Sequence, residues 1–255
     1  MRNRRKLILI LCLLMLSGMT PQRGKITVYL IGDSTMADKR VSAFPETGWG
    51  TPFKTFFDST VVIENHAQNG RSTRTFISEN RWQQVYDQLE EGDYVFIQFG
   101  HNDEAKEKTE RYTPPEQYKS NLRKFVLETK KRKANPVLLS PVTRRRFDDE
   151  GNIRETHAEY SPLVTEVARE TSTPFIDMDK KSRDLLQKFG AENSRNLFLQ
   201  LAPGEHPNYP DGKNDNTHFN ELGARLMAQI VLAEILAQRL ELADRVINRD
   251  KMKPQ

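Results

Sequence analysis

The chain has 255 residues, a formal net charge of +4 and a single cysteine, Cys12. Arg2, Arg4, Arg5 and Lys6 supply four of the positive charges, so the rest of the chain is close to neutral. The basic balance therefore gives no argument for nucleic acid or an anionic membrane as partner. With Cys12 confined to the leader, the remainder has no thiol for a disulfide, a thiolate metal site or a cysteine nucleophile.

The predicted elements begin with that leader. Residues 1–6 are basic, residues 7–16 form an apolar run, and Ser17, Gly18 and Thr20 follow. This is the pattern of a secretory signal peptide, and the apolar run is shorter than the roughly 20 residues a membrane span needs. Residues 1–20 are expected to be a signal peptide, with an uncleaved anchor as the alternative. Residues 21–255 are then expected to form one domain, a monomer exported to the periplasm or the extracellular space without stable membrane association. At about 235 residues it is long enough for one well-buried core.

Five apolar, β-branched stretches read as short buried strands: residues 25–31, 61–63, 94–99, 136–140 and 174–177. Helix-like stretches alternate with them at residues 49–57, 79–90, 115–132, 160–170, 180–189 and 221–240, the last with Asn220 as N-cap. The tail from Arg245 is charged and is expected to fray. Alternating strands and helices imply βαβ units, a mainly parallel sheet and helices on both faces. In such sheets ligands bind beyond the carboxyl ends of the strands.

Four polar clusters stand near those ends. Strand one exits into Gly32-Asp33-Ser34, strand two into a run ending Asn69-Gly70-Arg71-Ser72, and strand three into Gly100-His101-Asn102-Asp103. Asn214-Asp215-Asn216-Thr217-His218 precedes the last helix. A serine hydroxyl becomes a nucleophile when a base takes its proton, usually a histidine held in one tautomer by a carboxylate. Asp215 and His218, three apart, can meet across one turn. A tetrahedral intermediate needs donors aimed at its oxygen. The Gly70 N–H, the Asn102 amide and the Ser34 N–H, read as opening a helix, are suitable. Taken singly, each has a plainer role: Ser34 as a helix cap, Asp33 and Gly70 as turn residues, Asn102-Asp103 as an Asx turn, His218 as a surface histidine.

Other site classes lack their motifs. Gly-x-Ser-x-Gly, the P-loop and His-Glu-x-x-His are absent, and Gly48-Trp49-Gly50 lacks the third glycine of a dinucleotide fingerprint. A metal held by His101, Asp103, Asp215 and His218 is chemically conceivable, but would leave Ser34 and Gly70 without a role.

Taken together, the blocks resemble those of the SGNH, or GDSL-type, hydrolases. Ser34 matches the nucleophile of the first block, Gly70 the glycine of the second, Asn102 the asparagine of the third, and Asp215 and His218 the closing Asp-x-x-His. Thr35 stands where first blocks often carry leucine. The resemblance implies a flavodoxin-like three-layer α/β/α sandwich with a five-stranded sheet, a serine esterase mechanism and no cofactor or metal. It implies Ser34, Asp215 and His218 as catalytic residues, with Ser34, Gly70 and Asn102 as the oxyanion hole. The stretches GDSTMA, GWG, NGRSTRTF, IQFGHND, PVTRRRFDDEG and NDNTHFNELGA are similar to those of the rhamnogalacturonan acetylesterase group, which implies an acetylated pectic substrate. Another acetylated carbohydrate such as xylan, a lipid ester or thioester, and a non-catalytic carbohydrate-binding role are the alternatives. Arg71, Arg74 and Arg144 are expected to contact galacturonate carboxylates, since the guanidinium fork suits them. Trp49 or Tyr209 is a candidate to stack on a sugar, with core or loop packing as the equal alternative for either.

Overall fold

Each of the five apolar runs becomes a strand of one sheet in the computed structural model, which describes residues 24–247. The expected signal peptide lies outside the described residues. The strands are β1 (Ile26–Gly32), β2 (Val61–Asn65), β3 (Tyr94–Gln98), β4 (Asn135–Leu139) and β5 (Phe175–Ile176). They pair in the order β2-β1-β3-β4-β5, every pair parallel. This is the flavodoxin-like order, whose direction of winding reverses between β1 and β3.

Among the described residues, seven α-helices cover the sheet: α1 (Gly50–Phe53), α2 (Thr73–Ser78), α3 (Arg81–Gln88), α4 (Pro115–Lys131), α5 (Ser161–Glu170), α6 (Met178–Asn193) and α7 (Glu221–Ala237). Side chains alternate across a strand, and the core divides accordingly. Val28, Leu30, Phe96, Val137 and Leu139 face α1, α6 and α7 through Phe53, Met178, Leu186, Met227 and Val231. Tyr29, Ile31, Val95, Ile97 and Leu138 face α2 to α5 through Phe76, Trp82, Phe125 and Val164. Burial on both faces explains why the strands read as nearly continuous apolar runs. The expected three-layer α/β/α sandwich is the fold observed.

Some local expectations are corrected. The helix expected at 49–57 is the four-residue α1 followed by a 3₁₀ turn, Lys54–Phe56. The helix expected at 79–90 is interrupted at Asn80, whose φ of 59° lies in the left-handed region that asparagine tolerates, between α2 and α3. The tail does not fray at Arg245. That side chain is buried, with its guanidinium donating to Gly24 O at 2.6 Å and Thr60 Oγ1 at 3.0 Å.

An element with no counterpart in the predicted set carries residues of the fourth polar cluster. β6 (Phe198–Leu201) and β7 (Lys213–Phe219) form an antiparallel pair, and β7 runs straight into α7. The sequence of β7, KNDNTHF, is polar and lacks apolar alternation, so no strand pattern marked it. Asn220 caps α7 as expected, its side chain accepting from Gly223 N at 3.0 Å, and its amide donates to Asn196 O at 2.8 Å. Gly223 packs so tightly that a Cβ there would lie 1.9 Å from the Leu197 carbonyl oxygen. The α7 start, the turn before β6 and the hairpin are thereby fixed together. We expect Gly223→Ala to cost about 1–3 kcal/mol of stability, a drop of several degrees in Tm by thermal unfolding.

Candidate active site

The switch between β1 and β3 brings together residues from four separate segments. Ser34, Gly70, Asn102 and His218 line one cleft of about 420 Å³, with Glu46, Lys108, Arg111 and Arg144 around them. Ser34 sits on a short turn rather than at a helix start: Asp33 O accepts from Met36 N at 3.3 Å and Ala37 N at 3.1 Å. Asp33 Oδ1 closes the turn by accepting from Thr35 N at 2.9 Å and Thr35 Oγ1 at 2.8 Å.

That turn is anchored from below. Trp49 Nε1 donates to Gln98 Oε1 at 2.8 Å, and Gln98 Nε2 donates to Thr35 Oγ1 at 2.7 Å. Trp49, Gln98, Thr35 and Asp33 are all buried. Each hydrogen bond in this line pairs a donor with an acceptor, which offsets the cost of burial, while Asp33 Oδ2 is buried without a partner. The threonine at position 35 thus has a task that leucine could not perform. Trp49, expected as a possible sugar platform, is instead an internal donor. Tyr209 is half-buried, with its hydroxyl donating to Ala43 O at 2.8 Å.

The second and third exits are locked to each other. Gly70 has φ 77°, a conformation glycine adopts at little cost, in the turn where Arg71 N donates to Gln68 O at 3.2 Å. Ser72 then caps α2 in a capping box with Thr75. Asn102 Nδ2 donates to Arg71 O at 3.0 Å, which uses one of its two N–H groups. Asp103 Oδ1 accepts from Thr73 N at 2.9 Å and Thr73 Oγ1 at 2.6 Å. Asp103 is fully buried, and burial pushes its carboxyl up to about 7. Lys39, five residues beyond Ser34, joins the first exit to the second: its ammonium donates to Ser34 O at 2.6 Å and Asn69 Oδ1 at 2.8 Å, and pairs with Glu46 at 2.7 Å.

The fourth segment completes a hydrogen-bonded line to Ser34. His218 Nε2 lies 2.9 Å from Ser34 Oγ, and His218 Nδ1 lies 2.8 Å from Asp215 Oδ2. An ionised carboxylate only accepts, so Nδ1 carries a proton and a neutral ring offers Nε2 to the serine hydroxyl. Asp215 and His218 meet within strand β7 rather than across a helical turn. Asp215 Oδ1 also accepts from Thr217 N at 2.8 Å and His218 N at 2.9 Å. Burial alone would raise the Asp215 carboxyl, but the hydrogen bonds and charge of His218, with the Thr217 N–H, outweigh it and hold the group well below the usual carboxylate range.

The expected arginine contacts divide. Arg144 lines the cleft, but its guanidinium is paired with Glu104 Oε1 at 2.5 Å. Arg71 and Arg74 are not among the cleft-lining residues. Arg71 Nε donates to Glu79 Oε2 at 2.9 Å and Nη1 to Asn69 O at 2.8 Å, while Arg74 Nη1 reaches the carbonyls of Thr109 and Tyr112 at 3.3 Å each. Lys108 and Arg111 line the cleft in their place. They lie in the charged run EAKEKTERYT directly beyond the third exit, and that position is their signal in the sequence. Among the described residues, no group of three or more His, Cys, Asp or Glu side chains is arranged to hold a metal ion. His101 packs edge-on against His157, with ring centroids 4.5 Å apart, and burial holds its ring well below the usual imidazole range.

A model of the GDSL-like lipase/acylhydrolase family matches residues 30–226. The rhamnogalacturonan acetylesterase RhgT of Bacillus subtilis (strain 168) is 40% identical over 225 residues, which cover 88% of this chain and 96% of that protein. Among solved structures, YXIM from Bacillus subtilis is similar with a TM-score of 0.74 at 24% identity, over 85% of this chain, which spans 58% of that one. Axe2, an acetylxylan esterase from Geobacillus stearothermophilus, has a TM-score of 0.58 at 21% identity, over 83% of this chain and 95% of its own. These two likenesses are of fold. The chain belongs to the GDSL-like lipase/acylhydrolase family, and with it to the ester hydrolases.

The buried Asp103 has a consequence for pH. Its folded carboxyl titrates near 7, above the value of about 4 in an unfolded chain. Between those values the folded state holds a proton that the unfolded state releases, so this group's contribution to stability falls as pH rises from about 4 to about 7. We expect Asp103→Asn to remove that slope: the Tm of the variant relative to the parent should rise across the window. Parallel melting curves from pH 4.5 to 7.5 measure it, and a constant difference would contradict it.

Proposed function

We propose that this chain is a carbohydrate O-acetylesterase acting on rhamnogalacturonan, with Ser34 as nucleophile, His218 as general base and acid, and Asp215 as the group that orients it. The observation that carries this is the continuous hydrogen-bonded line from Ser34 Oγ through His218 to Asp215, open at its serine end to a cleft. His218 Nε2 takes the hydroxyl proton as Ser34 Oγ attacks the acetyl carbonyl. The Ser34 and Gly70 N–H groups and the remaining Asn102 Nδ2–H stabilise the oxyanion. His218 returns the proton to the departing sugar hydroxyl, and Asp215 stabilises the imidazolium between these steps. A water deprotonated by His218 then attacks the acetyl-Ser34 ester, the proton passes back to Ser34 Oγ, and acetate leaves.

Support for the substrate comes from the 40% identity to RhgT across nearly the whole of both chains. A lipid ester is less well served, because the cleft is lined by charged and amide side chains rather than by an apolar acyl channel. The same proposal includes export through the segment at residues 1–20, since polysaccharide is met outside the cytoplasm. We expect Ser34→Ala to lower kcat for acetate release by about 10⁴–10⁶-fold, roughly 5–8 kcal/mol of barrier. Acetate assayed on acetylated rhamnogalacturonan, xylan and chitin oligomers tests both parts. Near-normal turnover by the variant would sink the mechanism, and a preference for xylan would sink the pectic substrate while sparing the mechanism.

A further inference from the structure

The cleft and the residues beside it hold several cations, and these are not equivalent. Lys39 is neutralised by Glu46 at 2.7 Å. Arg144 is neutralised by Glu104 at 2.5 Å, and Glu104 also takes His157 Nδ1 at 2.9 Å. Arg111 differs. Its Nε is buried without a hydrogen-bond partner, although its side chain is only 23% exposed. The carboxylate paired with it is that of Glu110, 3.7 Å away on a side chain 72% exposed. Lys108, one turn earlier in the same loop, has no carboxylate partner among the described residues.

Arg111 also lies against the Gly70 turn. A Cβ added to Gly70 would meet Arg111 Nη1 at 3.1 Å. The guanidinium therefore borders the turn that carries Gly70, one of the proposed oxyanion donors, in the cleft shared with Ser34 and Asn102. A desolvated guanidinium nitrogen without an acceptor is costly, and the cost is offset when a ligand supplies one. The planar fork fits a carboxylate through two parallel N–H···O bonds.

We infer that Arg111, assisted by the charge of Lys108, is the residue that recognises a substrate carboxylate, so that the enzyme selects acetyl groups on or beside a uronic acid rather than on neutral sugars. This rests on the proposed acetylesterase activity toward an acidic pectic chain, and names the contact that makes acidity a requirement. The arginines nearer the motif blocks, Arg71 and Arg74, are held by Glu79 and by backbone carbonyls instead.

Acetate release from acetylated rhamnogalacturonan oligosaccharides tests it, with the carboxylates free in one arm and methyl-esterified in the other. p-Nitrophenyl acetate serves as a neutral ester in a third arm. The parent enzyme should prefer the free acid. Arg111→Gln should lower the ratio of kcat/KM for the free acid over the neutral ester by about 10-fold or more, mainly through KM, and Arg111→Lys should restore part of it. D-Galacturonate should inhibit p-nitrophenyl acetate turnover by the parent better than D-galactose does, and Arg111→Gln should abolish the difference. Lys108→Gln should lower the same ratio by a smaller factor and makes the result independent of how well an Arg111 variant folds. Equal losses on acidic and neutral substrates would place Arg111 at the oxyanion and overturn the inference, as would no loss on either. Equal parental rates on free and esterified oligosaccharides would overturn it while leaving the pectic activity standing. Parental turnover of p-nitrophenyl acetate but of neither pectic oligosaccharide would remove the substrate and this inference together.

Discussion

A 2.9 Å hydrogen bond between Ser34 Oγ and His218 Nε2 joins residues 184 positions apart, and the fold is organised so that this one distance comes out right. Ser34 is fixed by the exit of β1 at the centre of a parallel sheet. His218 is carried on β7, outside that sheet, and its position depends on how β6, β7 and the start of α7 pack. Gly223 against the Leu197 carbonyl and Asn220 against Asn196 set that packing. An error of an ångström in either support would separate hydroxyl from imidazole, because hydrogen bonds weaken steeply beyond their narrow range.

The loops around the cleft gain rigidity from side chains reaching across to neighbouring loops. Thr35 is tied to Gln98 and through it to Trp49, Asn102 to the Arg71 carbonyl, Asp103 to Thr73, and Lys39 to both the Ser34 and the Asn69 turns. Two carboxyls complete this frame, Asp33 within the Ser34 turn and Asp103 across to Thr73, both fully buried and both raised by burial. A carboxyl is an expensive group to bury, yet it can accept several N–H and O–H bonds at one atom, which is what closing a tight polar turn demands. For the proposed reaction, donors held in this way are preorganised, so little reorganisation is left for the moment when charge develops.

The sheet was legible in the sequence because burial on both faces writes strands as apolar runs; each predicted strand lies within two residues of an observed one. The four polar clusters were legible because a parallel sheet tells the reader where to look. The β6–β7 pair was not, since KNDNTHF carries the polar residues of a site and its strand character comes from pairing with Phe198–Leu201. The role of Trp49 was hidden too: whether an indole faces a sugar or a buried glutamine is a matter of tertiary packing. The arginines show the same limit. Residue type announced carboxylate chemistry, but which cations are already neutralised depends on Glu79 and Glu104, and the partner of Arg144 lies 40 positions away.

In the proposed reading, charge and geometry divide the labour in the cleft: the serine, histidine and aspartate carry the chemistry, and Arg111 with Lys108 selects what is admitted. The claim that Ser34 is the nucleophile activated by His218 is tested most directly by fluorophosphonate modification, mapped by mass spectrometry of proteolytic fragments. A single adduct on Ser34 is expected, forming far more slowly in His218→Ala. An adduct on another residue, or unmodified Ser34 in an enzyme that the reagent has inactivated, would contradict it.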